Sequence, residues 1–226
     1  MSAPERRRIY LMRHAEVRYF RGEHPHAVRL TEAGLTQAGA AAAALAGITF
    51  DRVVTSGLPR TLETAEIVAP ATPPERNDAL REIESGDIRG VPQEVLHEMM
   101  TAAFRGTVPP ERQFLGGETI GSLLDRVVPE VDGLLADPGW DVALLVLHGG
   151  VNRVILSYAL TGERRFLGSF EQAPGCINVL DVDAKGSFVV RAVNHTPYDP
   201  THVRAPRMTT MEQLWQEYLD VRGRNP

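Results

Sequence analysis

The segment Val142-Ala143-Leu144-Leu145-Val146-Leu147 has no polar side chain and stops abruptly at His148-Gly149-Gly150. A strand with one wet face alternates apolar and polar residues, whereas an unbroken apolar run of this length marks a strand covered on both faces. A sheet that needs cover above and below belongs to the α/β class, with helices on each side.

The rest of the chain supplies those strands and helices in alternation. Residues 9–12, Ile-Tyr-Leu-Met, form a second short apolar run, which ends at Arg13-His14. Residues 16–29 are polar and read as a loop. Thr31 is a helix N-cap, followed by an alanine-rich helix over 37–46 with Gly47 as its C-cap. Residues 50–55 predict a buried strand, Ser56-Gly57 a turn and 58–69 a helix. Residues 79–90 read as irregular and outside the core. Helices are predicted over 95–104, 120–136 and 151–160. Strands are predicted over 177–182 and 188–193, around the turn Lys185-Gly186. Met211, Leu214, Trp215 and Tyr218 form an apolar stripe on a last helix. That stripe suits either docking on the domain or a homodimer contact, and the pattern leaves both open. The expected fold is a mostly parallel sheet between two helical layers.

With 226 residues and no repeat, the chain suits a single domain over 1–226. The segment near 85–117 is expected to be an insertion over the sheet edge that covers the active site. A net charge of −5 argues against nucleic acid as a partner, which wants a basic face. Cys176 is the only cysteine, so no internal disulfide and no cysteine-based metal cluster is expected. No run approaches a membrane span, and the polar residues 1–8 precede no signal-peptide core. A cytoplasmic enzyme is the expectation.

In open α/β sheets, sites form beyond the carboxyl ends of the strands. Two buried strands here end in similar signatures, Met12-Arg13-His14 and Leu147-His148-Gly149-Gly150. The glycines permit close approach of backbone and ligand. The helix that follows points its N-terminus at the same place, which favours an anion. Arg60, in the first turn of the helix after residues 50–55, faces the same crevice. Two arginines and two histidines around one point suit a phosphate, because guanidinium binds its oxygens in bidentate fashion.

In this ordered set the chain resembles the histidine phosphatase superfamily, the group that includes cofactor-dependent phosphoglycerate mutases. The resemblance runs from Arg8 to His195. Arg13-His14-Ala15 stands where the family has R-H-G, and Leu30-Thr31-Glu32-Ala33-Gly34 matches an L-T-x-x-G helix start followed by Gln37-Ala38. Thr55, Ser56, Leu58, Arg60, Thr64 and Ala65 fill a T-S-x-L-x-R-x-x-x-T-A signature. Leu80, Glu82, Gly86 and Gly90 match L-x-E-x-x-x-G-x-x-x-G. Gly116 to Thr119 match G-G-E-S/T with Arg126 downstream, and His148 to Gly150 match the final H-G-G. The resemblance implies a three-layer α/β/α, phosphoglycerate mutase-like fold. It implies that His14 is the nucleophile of a phosphohistidine intermediate. Arg13, Arg60 and His148 would hold the phosphoryl group, and Glu82 would act as proton donor and then base. Glu84 competes for that last role, with a poorer spacing from Leu80. No cofactor and no metal are implied.

Four departures bear on the substrate. Ala15 replaces the usual glycine. Val17 and Phe20 stand where many members of the mutase branch carry threonine and asparagine. Ile88 replaces a common tryptophan. Arg18, Arg21, His24 and His26 lie in the loop after the nucleophile. Gly149, Arg21 and His26 are therefore candidates for substrate contact beside Arg13, Arg60 and His148. The expected activity is metal-independent hydrolysis of a small phosphorylated metabolite, a phosphomonoester. The alternatives are a phosphoglycerate mutase-type phosphotransferase, a metal-dependent hydrolase using His14, His24, His26 and His148, and a non-catalytic phosphate-binding relative.

Overall fold

A computed structural model describes residues 6–20 and 24–223. Its centre is a six-stranded sheet of order β3-β2-β4-β1-β5-β6. The strands are β1 (Arg7–Arg13), β2 (Arg52–Thr55), β3 (Glu75–Arg76), β4 (Val142–Leu147), β5 (Ile177–Val182) and β6 (Phe188–His195). β1, β2 and β3 run parallel to β4 or to each other, and β5 alone is reversed, between β1 and β6. The sheet is therefore mostly parallel, and β4 lies at its interior as its composition requires.

The pleat sends alternate residues of β1 and β4 to opposite faces. Ile9, Leu11, Ala143, Leu145 and Leu147 pack on one face, beneath α4 (Ile120–Ala136) and α5 (Gly149–Thr161). Met12, Leu144 and Val146 pack on the other, against α1 (Glu32–Ala44) and α2 (Pro59–Val68). This is the three-layer sandwich. Alanines on α1 let it lie close to its neighbours, with Ala38 and Ala41 fully buried.

Three sequence expectations are adjusted. α5 begins at Gly149, two residues before the predicted start, because His148 is already the N-cap and both glycines are helical. α1 ends at Ala44 rather than 46, and Gly47 takes a left-handed φ of 84° in the turn beyond. Residues 79–90 do reach the core. A 3-10 turn over Asp78–Leu80 leads into them, and Leu80 and Ile83 are buried in the larger hydrophobic cluster.

The segment before α4 carries α3 (Gln93–Thr101), which packs on the terminal helix α6 (Thr210–Arg222). Leu96, Met100, Leu115, Met211 and Trp215 form a separate small core between them. The stripe on α6 thus docks on its own chain. No helix among the described residues is long and apolar enough to cross a membrane.

Candidate active site

Arg13 is the last residue of β1, and His14 follows it beside Leu147, whose carbonyl accepts the His14 N–H at 2.9 Å. Neighbouring parallel strands so deliver His14 and His148 to one end of the sheet, with ring centroids 5.3 Å apart. The turn after His14 is held from α1 and α2. Thr64 Oγ1 accepts the Ala15 N–H at 3.1 Å, and Gln37 Oε1 accepts the Glu16 N–H at 2.9 Å. A Cβ on Gly34 would lie 2.3 Å from the Glu16 carbonyl oxygen, so this position of the L-T-x-x-G motif must stay bare for α1 to reach the turn.

The tautomer of His14 follows from its contacts. Nδ1 lies 2.8 Å from the Ala15 carbonyl, which can only accept, so Nδ1 carries the proton and Nε2 presents its lone pair. The Tyr19 hydroxyl lies 3.3 Å from that Nε2. Burial, with Arg60 and Arg13 positive beside it, holds His14 well below the ordinary imidazole pKa. The ring is neutral at pH 7, as a nitrogen nucleophile requires.

His148 is fixed in the opposite sense. Its Nδ1 faces Arg60 Nη2 at 3.5 Å, and Arg60 has only donors, so Nε2 carries the proton and donates to Ser56 Oγ at 2.7 Å. Burial first, then Arg60 and the charges around it, lowers its pKa well below the usual value. Ser56 sits in the turn after β2, and Arg60 is the second residue of α2. The T-S-x-L-x-R spacing therefore places a serine under His148 and an arginine beside it.

Arg60 is only 3 % exposed. It donates to the Pro25 carbonyl at 2.9 Å and lies over the Tyr19 ring. Arg13 donates to the Gln172 carbonyl at 2.6 Å. Three buried side-chain nitrogens have no partner among the described residues, and two of them are Arg13 Nε and Arg60 Nε. The third is Arg81 Nε. Buried donors are rarely left unpaired, and two in one cleft suit an anion.

Glu82 reaches the same cleft from the segment after the 3-10 turn. Both its carboxylate oxygens accept the Gly150 N–H, at 3.0 and 3.1 Å. The N-terminus of α5, expected to face the phosphate, thus donates from Gly150 to Glu82. Gly150 is bare for the same reason, since a Cβ there would lie 2.6 Å from Glu82 Oε1. Arg126 of α4 holds the segment itself. It donates to the carbonyls of Ala79 at 2.6 Å, Arg81 at 2.7 Å and Glu82 at 3.3 Å, and pairs with Glu118 at 2.8 Å. Gly86 and Gly117 meet so closely that a Cβ on either would fall within 2.7 Å of backbone. The Glu82, Gly86, Gly117, Glu118 and Arg126 pattern is thus one clamp that positions a carboxylate.

A cavity of about 380 Å³ opens over these groups, lined by Arg13, Tyr19, Arg60, Glu82, Gly149 and His26 among others. His14 and His148 lie behind that lining, 1 % and 0 % exposed. His26 also stacks edge-on with His24 at 4.9 Å, and burial lowers its pKa. Glu84, the competing carboxylate, lines the cavity but is exposed. Arg21 lies outside the described residues. No group of three or more His, Cys, Asp or Glu side chains among the described residues is placed to hold a metal.

Sequence reasoning missed Tyr19 and Arg153. Tyr19 sits in a loop whose course nothing in the pattern reveals. Arg153 is buried, and desolvation lowers its pKa to about 10. It donates to the carbonyls of Gly149 at 3.1 Å and Gly168 at 3.0 Å. Its signal was its place four residues after Gly149, on the same helix face. Behind Arg13 lies a buried amide pair. Gln172 and Asn178 bond each other at 2.9 and 3.0 Å, and Asn178 also donates to the Leu11 carbonyl. Cys176 is fully buried there, its thiol pushed up to about 12 by desolvation, and its carbonyl accepts the Arg13 N–H.

A buried, neutral imidazole beside two arginines at the carboxyl ends of parallel strands is an arrangement that suits an anion in an α/β protein. The chain belongs to the histidine phosphatase superfamily (branch 1), whose model matches residues 9–196. No curated protein matches it. Among solved structures it is similar to Bacillus stearothermophilus YhfR, at 26 % identity and TM-score 0.66, covering 82 % of this chain and 95 % of that one. It shares its fold with a mycobacterial glucosyl-3-phosphoglycerate phosphatase (23 %, TM-score 0.69, covering 84 % and 99 %). The α-ribazole phosphatase of Shigella flexneri has the same fold (22 %, TM-score 0.65, covering 83 % and 96 %).

Proposed function

We propose that the protein is a metal-independent phosphatase that hydrolyses a small phosphomonoester through a phosphohistidine on His14. One observation carries this reading: the Ala15 carbonyl holds the proton on His14 Nδ1 and leaves the Nε2 lone pair beside Arg60 and Arg13. The names of the structurally similar phosphatases point the same way.

The phosphoryl group is bound by Arg13 and Arg60, whose charges balance that gathering on its oxygens, and by His148, whose Nε2–H turns from Ser56 to donate to one of them. The Tyr19 hydroxyl turns away, and His14 Nε2 forms a bond to phosphorus as the ester P–O bond breaks. Glu82 gives its proton to the departing oxygen. In the second half, Glu82 takes a proton from water, and the water oxygen displaces His14 to release inorganic phosphate. The resemblance implies that in many members of the mutase branch threonine and asparagine at positions 17 and 20 contact phosphate and substrate. Here Val17 is buried and bridges to Leu30, and Phe20 packs on Tyr218.

The test is a screen of phosphorylated metabolites in excess chelator with wild type and His14→Ala. Turnover by the wild type, acid-labile phosphate on the quenched protein, and loss of both in the variant are expected. Equal turnover by both proteins refutes His14 as the nucleophile, and loss of wild-type turnover in chelator refutes metal independence.

A further inference from the structure

We propose that the cleft selects phosphomonoesters with an apolar leaving group, a hydrocarbon chain or ring rather than a polyol or a carboxylate; this rests on the phosphatase reading above. The wall facing the anion-binding groups is built by Phe20, Ile88, Met100, Phe114, Met211 and Leu214, all of which line the same cavity as Arg13, Arg60 and Glu82. These residues come from the loop after the nucleophile, the segment around α3, and α6. One surface of the small core between α3 and α6 is thus turned towards the place where a leaving group would sit.

Two of the polar groups that line the cavity with that wall, Arg153 and Thr210, are already engaged. Arg153 donates to Gly149 and Gly168 and faces Glu171 at 3.9 Å, with its guanidinium 4.7 Å over the Phe104 ring. The Thr210 hydroxyl donates to Glu171 at 2.7 Å. His24, Glu84 and Ser85 line the cavity but are exposed, at its mouth. A polyol pushed against this wall would give up hydrogen bonds to water without replacing them. A carboxylate would meet arginines committed to the phosphoryl group or to backbone carbonyls, the Tyr19 hydroxyl that faces His14, and the imidazoles of His24 and His26, the latter held below its ordinary pKa by burial.

Two of the departures from the family pattern fall on this wall. Phe20 occupies the position where the mutase branch carries asparagine, and Ile88 the position of a common tryptophan. Phe20 replaces a polar group by hydrocarbon, and Ile88 replaces an N–H-bearing ring. A volume near 380 Å³ is that of a small-molecule pocket, with room for a chain of several carbons.

The experiment is a chain-length series read in two ways. For ethyl, butyl and hexyl phosphate, kcat/KM is expected to rise about fourfold per methylene, so that hexyl exceeds ethyl by on the order of 10²-fold. Glycerol phosphate and 3-phosphoglycerate are expected to fall below butyl phosphate. The corresponding alkylphosphonates, whose C–P bond is not cleaved, are titrated calorimetrically and should gain affinity with the same gradient. Phe20→Asn and Leu214→Glu should each flatten both series, at an unchanged melting temperature in at least one of them. A flat phosphonate series in the wild type overturns the apolar subsite even if every ester is hydrolysed. Graded phosphonate binding with no ester turned over overturns the phosphatase reading and upholds the subsite.

Discussion

Gly150→Ala separates the role of Glu82 from the stability of the fold. The added Cβ would stand 2.6 Å from Glu82 Oε1 and 3.3 Å from Ile83 Cγ2. To regain ordinary contact at 3.4 Å, the carboxylate must retreat by roughly 0.8 Å. The atom struck is the tip of a flexible side chain, and alanine favours a helix over glycine by up to about 1 kcal/mol. The melting temperature should therefore hold or rise. A misplacement near 1 Å at a reacting group costs about 10²-fold in rate, and a general acid is worth about 10²–10⁴-fold. On an alkyl phosphate, whose leaving oxygen needs a proton, kcat/KM should fall about 10²-fold. On 4-nitrophenyl phosphate, whose phenolate leaves unaided, the fall should stay under about tenfold. Steady-state kinetics on both esters, with a thermal melt of each protein, make the measurement. An equal loss on both esters, or none on either, refutes Glu82 as the acid held by the Gly150 N–H.

Arg126→Ala removes the partner of three carbonyls and of Glu118. Each buried group left unpaired costs about 1–3 kcal/mol, so a lower melting temperature is expected together with slower alkyl phosphate turnover. Arg126→Lys should restore little, because a point charge cannot span those acceptors as a fork does; full recovery in the lysine variant would count against the clamp. His14 and His148 have folded pKa values below the ordinary one, so below about pH 6.5 the unfolded chain takes up protons that the folded chain refuses. Stability should be fully present above that pH and decline as pH falls towards the folded values. Denaturant melts from pH 7.5 to 5 should show this slope, and it should shrink in His148→Asn; an identical slope in that variant would show that His148 does not contribute.

The parts legible in the sequence were those governed by local pattern. β4, β5 and α4 have the predicted bounds because their apolar runs and stripes are long and their ends carry turn or capping residues, such as Thr119, which accepts from the Ser122 N–H. Arg13, His14, Arg60 and His148 were brought together by strand ends and motif order. The clamp on Glu82 was not foreseeable in detail, since it joins residues some forty positions apart through backbone carbonyls that carry no sequence signal. Arg153 was hidden for a related reason. An arginine on a helix reads as solvated, and its spacing from Gly149 sets the helix face but not the packing that buries it. The core role of Leu80 and Ile83 was masked by the glycines and acids around them.

The one cysteine has a practical consequence. Cys176 is completely enclosed, with a thiol that is almost wholly protonated at neutral pH, so reagents that need a thiolate find nothing to react with while the fold is closed. Its backbone carbonyl binds the amide of Arg13. Any opening that lets a thiol probe in must disturb the floor beneath the first arginine. The slow labelling of this single sulfur is therefore a built-in clock for breathing at the phosphate end of the sheet, readable in the unaltered protein and free of competing thiol signals.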